Sequence, residues 1–380
     1  MIIESAMVDN YKLIKSKIKM VKTYKGTNNK NLMFVFKTSV FYVTLILLCA
    51  CGEKSCYRHE VREVNFLTDN MPTVKGEEIE LDAMGCDDII IYDSLIIVLT
   101  NNPAHHIQVF SLNSYKQLAN IAPSGRAKSE VASGILTNTS KQIYERDGHI
   151  IMPVVDYSIL KEIDITASIE LQQTVMISAE NCLSIEEGNF VLLNNKNVDK
   201  FEYKYSFPGT IHKSILIGRY FLTDVEETKE ISVYRKPMNG MDSEGTRSRY
   251  VDGILSKHPH RNIVIQPLSY MDYVLVFDLD NQKYYALHQQ NTDSFDSLVP
   301  IDWGFKFSDC TTTNSFFIVT YNIGMKTNAV VMVDWDGNCL GIFMLGNIVQ
   351  RIAYDERSNV LYGINRLTDK IYKFNLNGIL

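Results

Sequence analysis

A strand, a tight turn and a second strand recur along most of this 380-residue chain. The pattern is readable in "IQVFSLNSYKQL", "LKEIDITASIEL", "ISVYRKPMNGM", "VLVFDLDNQKYYAL", "VVMVDWDGNCLGIF" and "IYKFNLNGIL". Alternating apolar residues mark the strands, and clusters such as Asp278-Leu279-Asp280-Asn281 or Asp336-Gly337-Asn338 mark the turns, which is the signature of β-hairpins. About a dozen residues or slightly more ahead of each unit lies another β-rich run: "SLIIVLT", "HIIMPVV", "SILIGRYFL", "NIVIQPL", "SFFIVTY" and "NVLYGIN". Helical periodicity is nearly absent after residue 56.

With Phe110, Ile163, Tyr234, Phe277, Val333 and Phe374 taken as equivalent positions, the units are spaced by 53, 71, 43, 56 and 41 residues. A four-stranded propeller blade needs about 40 to 50 residues. The reading is therefore an all-β, six-bladed β-propeller. The 71-residue interval contains "SIEEGNFVLLNNKNVDKFEYKYSFPG", an elaborated third blade or a blade of its own, so seven blades is the alternative. The last unit stops at Leu380 just after its turn, leaving its outer strand missing. A bare edge invites aggregation, and the β-rich segments "EVREVNFL" and "EEIELDAM" near the N-terminus are the obvious donors of a closing strand. An open array of β-sandwiches fits serial hairpins less naturally.

The run from Val40 to Ala50 is too short to span a bilayer, which takes about 20 apolar residues, and has the size of a signal-peptide core. A lysine-rich stretch precedes it, and Leu48-Cys49-Ala50-Cys51 follows it as a lipobox would, with Cys51 the residue to be lipidated. Residues 1–50 are expected to be a signal peptide with an over-long leader, whose true start is Met20 or Met33. Residues 51–60 are expected to be a lipidated tether and 61–380 the propeller. Residues 1–50 hold eight lysines and only Glu4 and Asp9, so the remainder carries 30 basic against 42 acidic residues, near −12. That charge disfavours nucleic acid or an anionic membrane surface as partner, since both select clustered Lys and Arg. Membrane contact is expected through the lipid alone, in the cell envelope as an outer-membrane lipoprotein, and the body as a monomer.

Five cysteines remain beyond the lipobox: Cys56, Cys86, Cys182, Cys310 and Cys339. An odd count leaves at least one free thiol. No zinc-type spacing occurs, so the cysteines read mainly as small buried apolar residues, with Cys310 and Cys339 able to pair if their strands neighbour.

Groups that could carry chemistry are scattered. His105-His106 follows a turn cluster and reads as exposed loop; His258-Pro259-His260 has the look of a ligand pair but sits in a turn without a local carboxylate or cysteine cluster. Ser124-Gly125-Arg126 could hold an anion through Arg126 and backbone donors, or be a solvated loop. Asp87, Asp88 and Asp309 precede inner-strand positions, where they line a central channel or cap strand ends. No nucleophile elbow or triad is recognisable, and no metal and no cofactor are expected.

In Cys51, the opening "GCDDIIIYDSLIIVLTNN", the loop "APSGRAKSEV", the turn and strand "GILSKHPHRNIVI" and the closing "RIAYDERSNVLYGINRLTDKIYKFNLNG", the chain resembles the TolB-like six-bladed propeller lipoproteins of Bacteroides and relatives. The resemblance runs over about residues 60–380. It implies the fold and an envelope location but no reaction. Members often carry a G-x-G-x-G-E loop after the first blade; here only Gly125 and Glu130 match, with Ala127 and Ser129 in place of glycines. Two functions stay open. One is a lipid-anchored binding or scaffolding module for a protein, peptide or glycan; the other is a metal-assisted hydrolase or lyase with its site at the channel mouth.

Overall fold

This computed structural model describes residues 59–67, 70–132, 141–156, 159–177, 189–193, 202–206, 214–220, 225–232, 253–292, 294, 305–323 and 327–379. The expected leader, Cys51 and most of the expected tether lie outside the described residues. Among those residues no helix is long and apolar enough to cross a membrane.

Six sheets of four or five strands follow one another along the chain. The first is β4 (Cys86–Tyr92), β5 (Leu95–Thr100), β6 (Ile107–Ser111) and β7 (Gln117–Ile121), side by side in that order. The second is β8 (Tyr144–Arg146), β9 (His149–Asp156), β10 (Ile159–Asp164) and β11 (Met176–Ile177). The third is β12 (Asn189–Leu193), β13 (Glu202–Ser206), β14 (Ser214–Tyr220) and β15 (Val225–Ser232). The fourth holds β16 (Ser256–Lys257), β17 (Ile263–Pro267), β18 (Tyr273–Asp278) and β19 (Lys283–Gln289). The fifth holds β20 (Phe307–Thr312), β21 (Phe316–Ile323), β22 (Thr327–Asp334) and β23 (Cys339–Leu345), and the sixth β24 (Arg351–Asp355), β25 (Val360–Asn365) and β26 (Lys370–Asn375).

Central strands of these sheets are covered on both faces, so they read as unbroken apolar runs rather than alternating ones. Every residue of β5, "LIIVLT", is buried, whereas β7, near the periphery, alternates. Stacking is face to face in a fixed sequence. One core joins the second sheet to the first through Ile97, Val109, Met152 and Ile163, and another joins the first to the sixth through Ile89, Val98, Ile364 and Ile371. The sixth packs on the fifth through Val330, Phe343, Leu361 and Phe374, and the fifth on the fourth through Val276, Leu287, Phe317 and Val331. The arrangement is that of a β-propeller. Five blades are described with their packing, where the sequence predicts six; the third sheet is described by its backbone pairing, with Val191 its one described buried side chain.

Two local readings are corrected. In the third unit "SILIGRYFL", read as the run ahead of the hairpin "ISVYRKPMNGM", is β14, and the start of "ISVYRK" ends β15; they are the third and fourth strands of their sheet, preceded by β12 and β13 from the 71-residue interval. Alternation marks a strand but not its place in the sheet, so the phase of that unit slipped by one. The second unit's "ITASIEL" is not a strand but helix α1 (Ile165–Leu171), started by Asp164, whose carboxylate accepts the Ala167 amide at 2.8 Å.

The N-terminal segment lies along the outside of three blades. β1 (Glu60–Val64) adds parallel to β19, β2 (Thr73–Val74) adds parallel to β23, and β3 (Glu77–Ile79) adds antiparallel to β26 as the fourth strand of the last sheet. Each stretch also drops one apolar side chain into a different core: Phe66, Val74 and Ile79. Of the two donors expected for the edge of the last repeat, "EEIELDAM" supplies it through β3, whereas "EVREVNFL" supplies β1 to the fourth sheet instead; the β2 addition had no counterpart in the sequence reading.

Candidate functional site

The inner-edge strands β4, β20 and β24 come together at the centre, with β24 lying between the other two and β16 next to β20. Adjacent strand residues point to opposite faces, so of the aspartate pair only Asp88 turns inward. Asp87 instead pairs with Arg366 at a half-exposed position. Asp309 on β20 is 1 % exposed and accepts the Ile352 amide of β24 at 2.6 Å.

Lys141, from the segment between the first two blades, reaches into this centre with its backbone in the left-handed region at φ 53°. Its ammonium sits on the Asp309 carboxylate, 3.1 Å from Asp88 and 2.5 Å from the Ile352 carbonyl. Arg351 lies 3.9 Å from Asp88 and donates to the Ser308 carbonyl at 2.7 Å. Two cations and two carboxylates, from three sheets and one inter-blade segment, thus meet with no net formal charge. Burial on its own would lower the Lys141 pKa, but Asp309 and Asp88 hold it above the usual lysine value. Burial likewise pushes the Asp309 carboxyl up, against the pull of Lys141. One oxygen of Asp309 is buried without a hydrogen bond among the described residues.

Beside this cluster is a cleft of about 140 Å³, lined among others by Tyr92, Lys141, Lys257, Thr311 and Tyr354. Lys257 is buried, and burial lowers its pKa to about 8, opposed by Asp280. Its ammonium donates to the carbonyls of His258 at 2.8 Å and Arg261 at 3.2 Å, binding the following turn together.

His258 and His260 do not form a ligand pair. The His258 Nδ1 accepts the amides of His260 and Arg261 at 3.0 and 3.2 Å, which leaves the proton on Nε2 to donate to the Asn314 carbonyl at 3.1 Å. Burial and then Arg261 lower its pKa to about 4, so the ring is neutral with both nitrogens committed. His260 is exposed. No grouping of three or more metal-ligating side chains occurs among the described residues.

Arg126 is exposed, at the tip of a loop that closes on itself. The Glu130 carboxylate accepts the Ala127 amide at 2.7 Å and lies so close to Gly125 that an added Cβ would clash with it. His106, expected in an exposed loop, is buried, its ring bridging the Thr100 carbonyl and the Ser124 hydroxyl at 3.1 and 2.8 Å. Cys310 and Cys339 are both free. They stand on β20 and β23, separated by two intervening strands, whereas a disulfide needs Cα atoms within about 7 Å. Among the expected residues the fold therefore unites Asp88 and Asp309. The residues that complete their cluster, Lys141 and Arg351, carry no motif: a lone lysine in a long inter-blade segment has no spacing to betray it.

No protein-family model matches the sequence, and no curated protein matches it. Solved structures are similar at the level of coarse shape. One is an exported protein from Bacteroides fragilis, 8 % identical, with a TM-score of 0.47 over 83 % of this chain and 98 % of that one. Another is the WD40 repeats of RRP9, 8 % identical, with a TM-score of 0.43 over 80 % of this chain and 99 % of that one.

Proposed function

We propose that this protein is a lipid-anchored binding or scaffolding module of the cell envelope. The observation that carries the reading is the centre of the molecule. Asp88 and Asp309 are the carboxylates best placed to hold a metal or move a proton, and both are engaged by Lys141 with Arg351 close by. A carboxylate bound to a buried ammonium is a poor ligand for a second cation, so the donor set suits a structural latch better than a metal-assisted hydrolase or lyase. The blades then serve to hold loops and grooves in rigid positions.

In this reading the third sheet occupies the place between the second and fourth and makes the ring six-bladed, as in the TolB-like lipoproteins that the sequence resembles. Its sequential antiparallel order is the same as that of the other blades. Residues 1–50 act as leader, Cys51 carries the lipid, and 51–60 tether a monomeric propeller to the outer membrane. Partners are an envelope protein, peptide or glycan rather than nucleic acid.

Two measurements test this. Cys51→Ala should move the protein from membrane to soluble fractions; a variant that stays with membranes after salt and carbonate washes refutes the anchor. Calcium, zinc or magnesium should leave the thermal midpoint unchanged and elicit no ester, lactone or glycan cleavage. Metal-dependent turnover abolished by Asp309→Asn would overturn the module reading in favour of the hydrolase.

A further inference from the structure

Where the last blade meets the first, the closing strand leaves an open groove of about 690 Å³, well within the size of small-molecule and oligosaccharide sites. Lys75 stands at the closing strand, Tyr362 and Asn375 on the last blade, and Asn113 and Tyr115 on the first. Of its thirteen lining residues only Leu112 and Val360 are apolar. A fatty or drug-like ligand would leave those polar walls unsatisfied, which costs affinity.

The cations in the groove are unequally engaged. Lys75, Arg357 and Lys373 face Glu77 and Asp355. Glu77 is held by Lys373 at 3.1 Å, and Asp355 accepts the Ser358 hydroxyl at 2.5 Å and lies 3.4 Å from Arg357. Arg357 also holds Asp93 at 2.7 Å, so these acids are all engaged, and Lys75 is the lining cation left exposed with no ion pair among the described residues. Asn113 and Asn375 line the same groove and bear amides that both donate and accept, the Asn375 oxygen already taking the Asn377 amide at 2.9 Å and its NH2 remaining to donate. Phosphate or sulfate offers acceptors alone, whereas sugar hydroxyls do both. Tyr115, half-buried at the wall, adds a ring against which a sugar face can lie.

We propose that this seam groove binds a carboxylated oligosaccharide, with Lys75 meeting a carboxylate and Asn113 and Asn375 the hydroxyls. The site presupposes the module function above and names its ligand class. It owes nothing to the central cleft, so the two stand or fall separately.

The test uses the full chain purified in detergent and titrated calorimetrically with three probes: a tetramer of galacturonic acid, maltotetraose as its neutral counterpart, and inorganic phosphate. The uronate tetramer should bind one to one, and Lys75→Ala and Asn113→Ala should each weaken it about tenfold, the loss expected of one charge-assisted or well-placed hydrogen bond. Both side chains are exposed, so neither change should disturb folding, and Lys283→Ala on the fourth blade should bind like the parent. Equal binding of maltotetraose overturns the carboxylate assignment, equal binding of phosphate overturns the sugar assignment, and absence of uronate binding or indifference to Lys75 overturns the site. None of those three results produces metal-dependent turnover, the outcome that would instead refute the module function.

Discussion

Replacing Lys141 with methionine keeps the length of the side chain and removes its charge, leaving Asp309 buried against Asp88 with only Arg351 nearby. Breaking a buried pair by deleting one partner costs about 3–5 kcal/mol, because the remaining charge stays desolvated. The Lys141 side chain is 6 % exposed and that of Asp309 1 %, so solvent can relieve little of this. For a body of this size each kcal/mol moves the thermal midpoint by about 2 °C, so Lys141→Met should lower it by about 6–10 °C at pH 8. Direction with pH follows from Asp309. Burial raises its folded pKa above the unfolded value of about 4, so the folded state favours the protonated carboxyl. That contribution is complete below about pH 4 and lost as pH rises through the folded pKa; without Lys141, which pulls the carboxyl down in the parent, Asp309 of the variant is pushed further up, so the variant gains more on acidification and its deficit should shrink. Adding Asp309→Asn should recover part of the loss at pH 8. Calorimetry of parent, single and double variants from pH 5 to 8 decides it. A midpoint within 2 °C of the parent at pH 8, or a double variant less stable than Lys141→Met, would refute the latch.

Deleting residues 57–81 bares the edges of β19, β23 and β26 and removes Phe66, Val74 and Ile79, each contributing about 1.5–3 kcal/mol of apolar burial. The midpoint should fall by more than 5 °C with aggregation visible by light scattering, and an unchanged midpoint would refute the role of the segment. Among Cys86, Cys310 and Cys339 only the exposed Cys339 should react with iodoacetamide in the native state, as read by peptide mass mapping. Burial nevertheless raises its pKa above 9, so labelling should accelerate as pH is raised from 7 to 9. Since burial lowers Lys257 to about 8, the fold disfavours its charged form. Relative to Lys257→Met, the parent should gain stability as pH rises from about 8 towards the unfolded value near 10.5, and denaturant titrations at pH 7.5 and 9.5 should show that gain.

Turn chemistry was the most legible part of the sequence. Asp278 accepts the Asn281 amide at 2.9 Å, and Asp334 accepts those of Asp336 and Asn338 at 2.9 and 2.7 Å, so the clusters that announced hairpins are the groups that close them. The missing strand after "IYKFNLNG" was legible too, because a repeat that ends early leaves an edge to fill. Short parallel edge strands were not: β2 has two residues, and nothing in "TV" distinguishes a strand from a loop. At the centre, Asp88 and Asp309 were readable as inner-strand acids, yet their meaning depends on Lys141, whose approach is set by the tertiary path of one inter-blade segment. Likewise His258 could be seen as a pair with His260 in sequence, while the carbonyl that fixes its proton comes from Asn314, on a different blade.

The outer strands supplied by the N-terminus also dictate an order of events. Glu60 meets Tyr285, Thr73 meets Met344 and Glu77 meets Lys373, partners 225, 271 and 296 residues away. As the chain leaves a ribosome or a translocation channel, β1, β2 and β3 therefore wait for more than two hundred residues to follow them before they can pair. Such long-range closure is slow, since the entropy of a very large loop is lost before any contact repays it. Each strand stays open to neighbouring chains until its own partner has been made, the β3 edge longest because it waits for Lys373, which makes the interval between emergence and closure the time when this protein most needs a chaperone that covers β-edges.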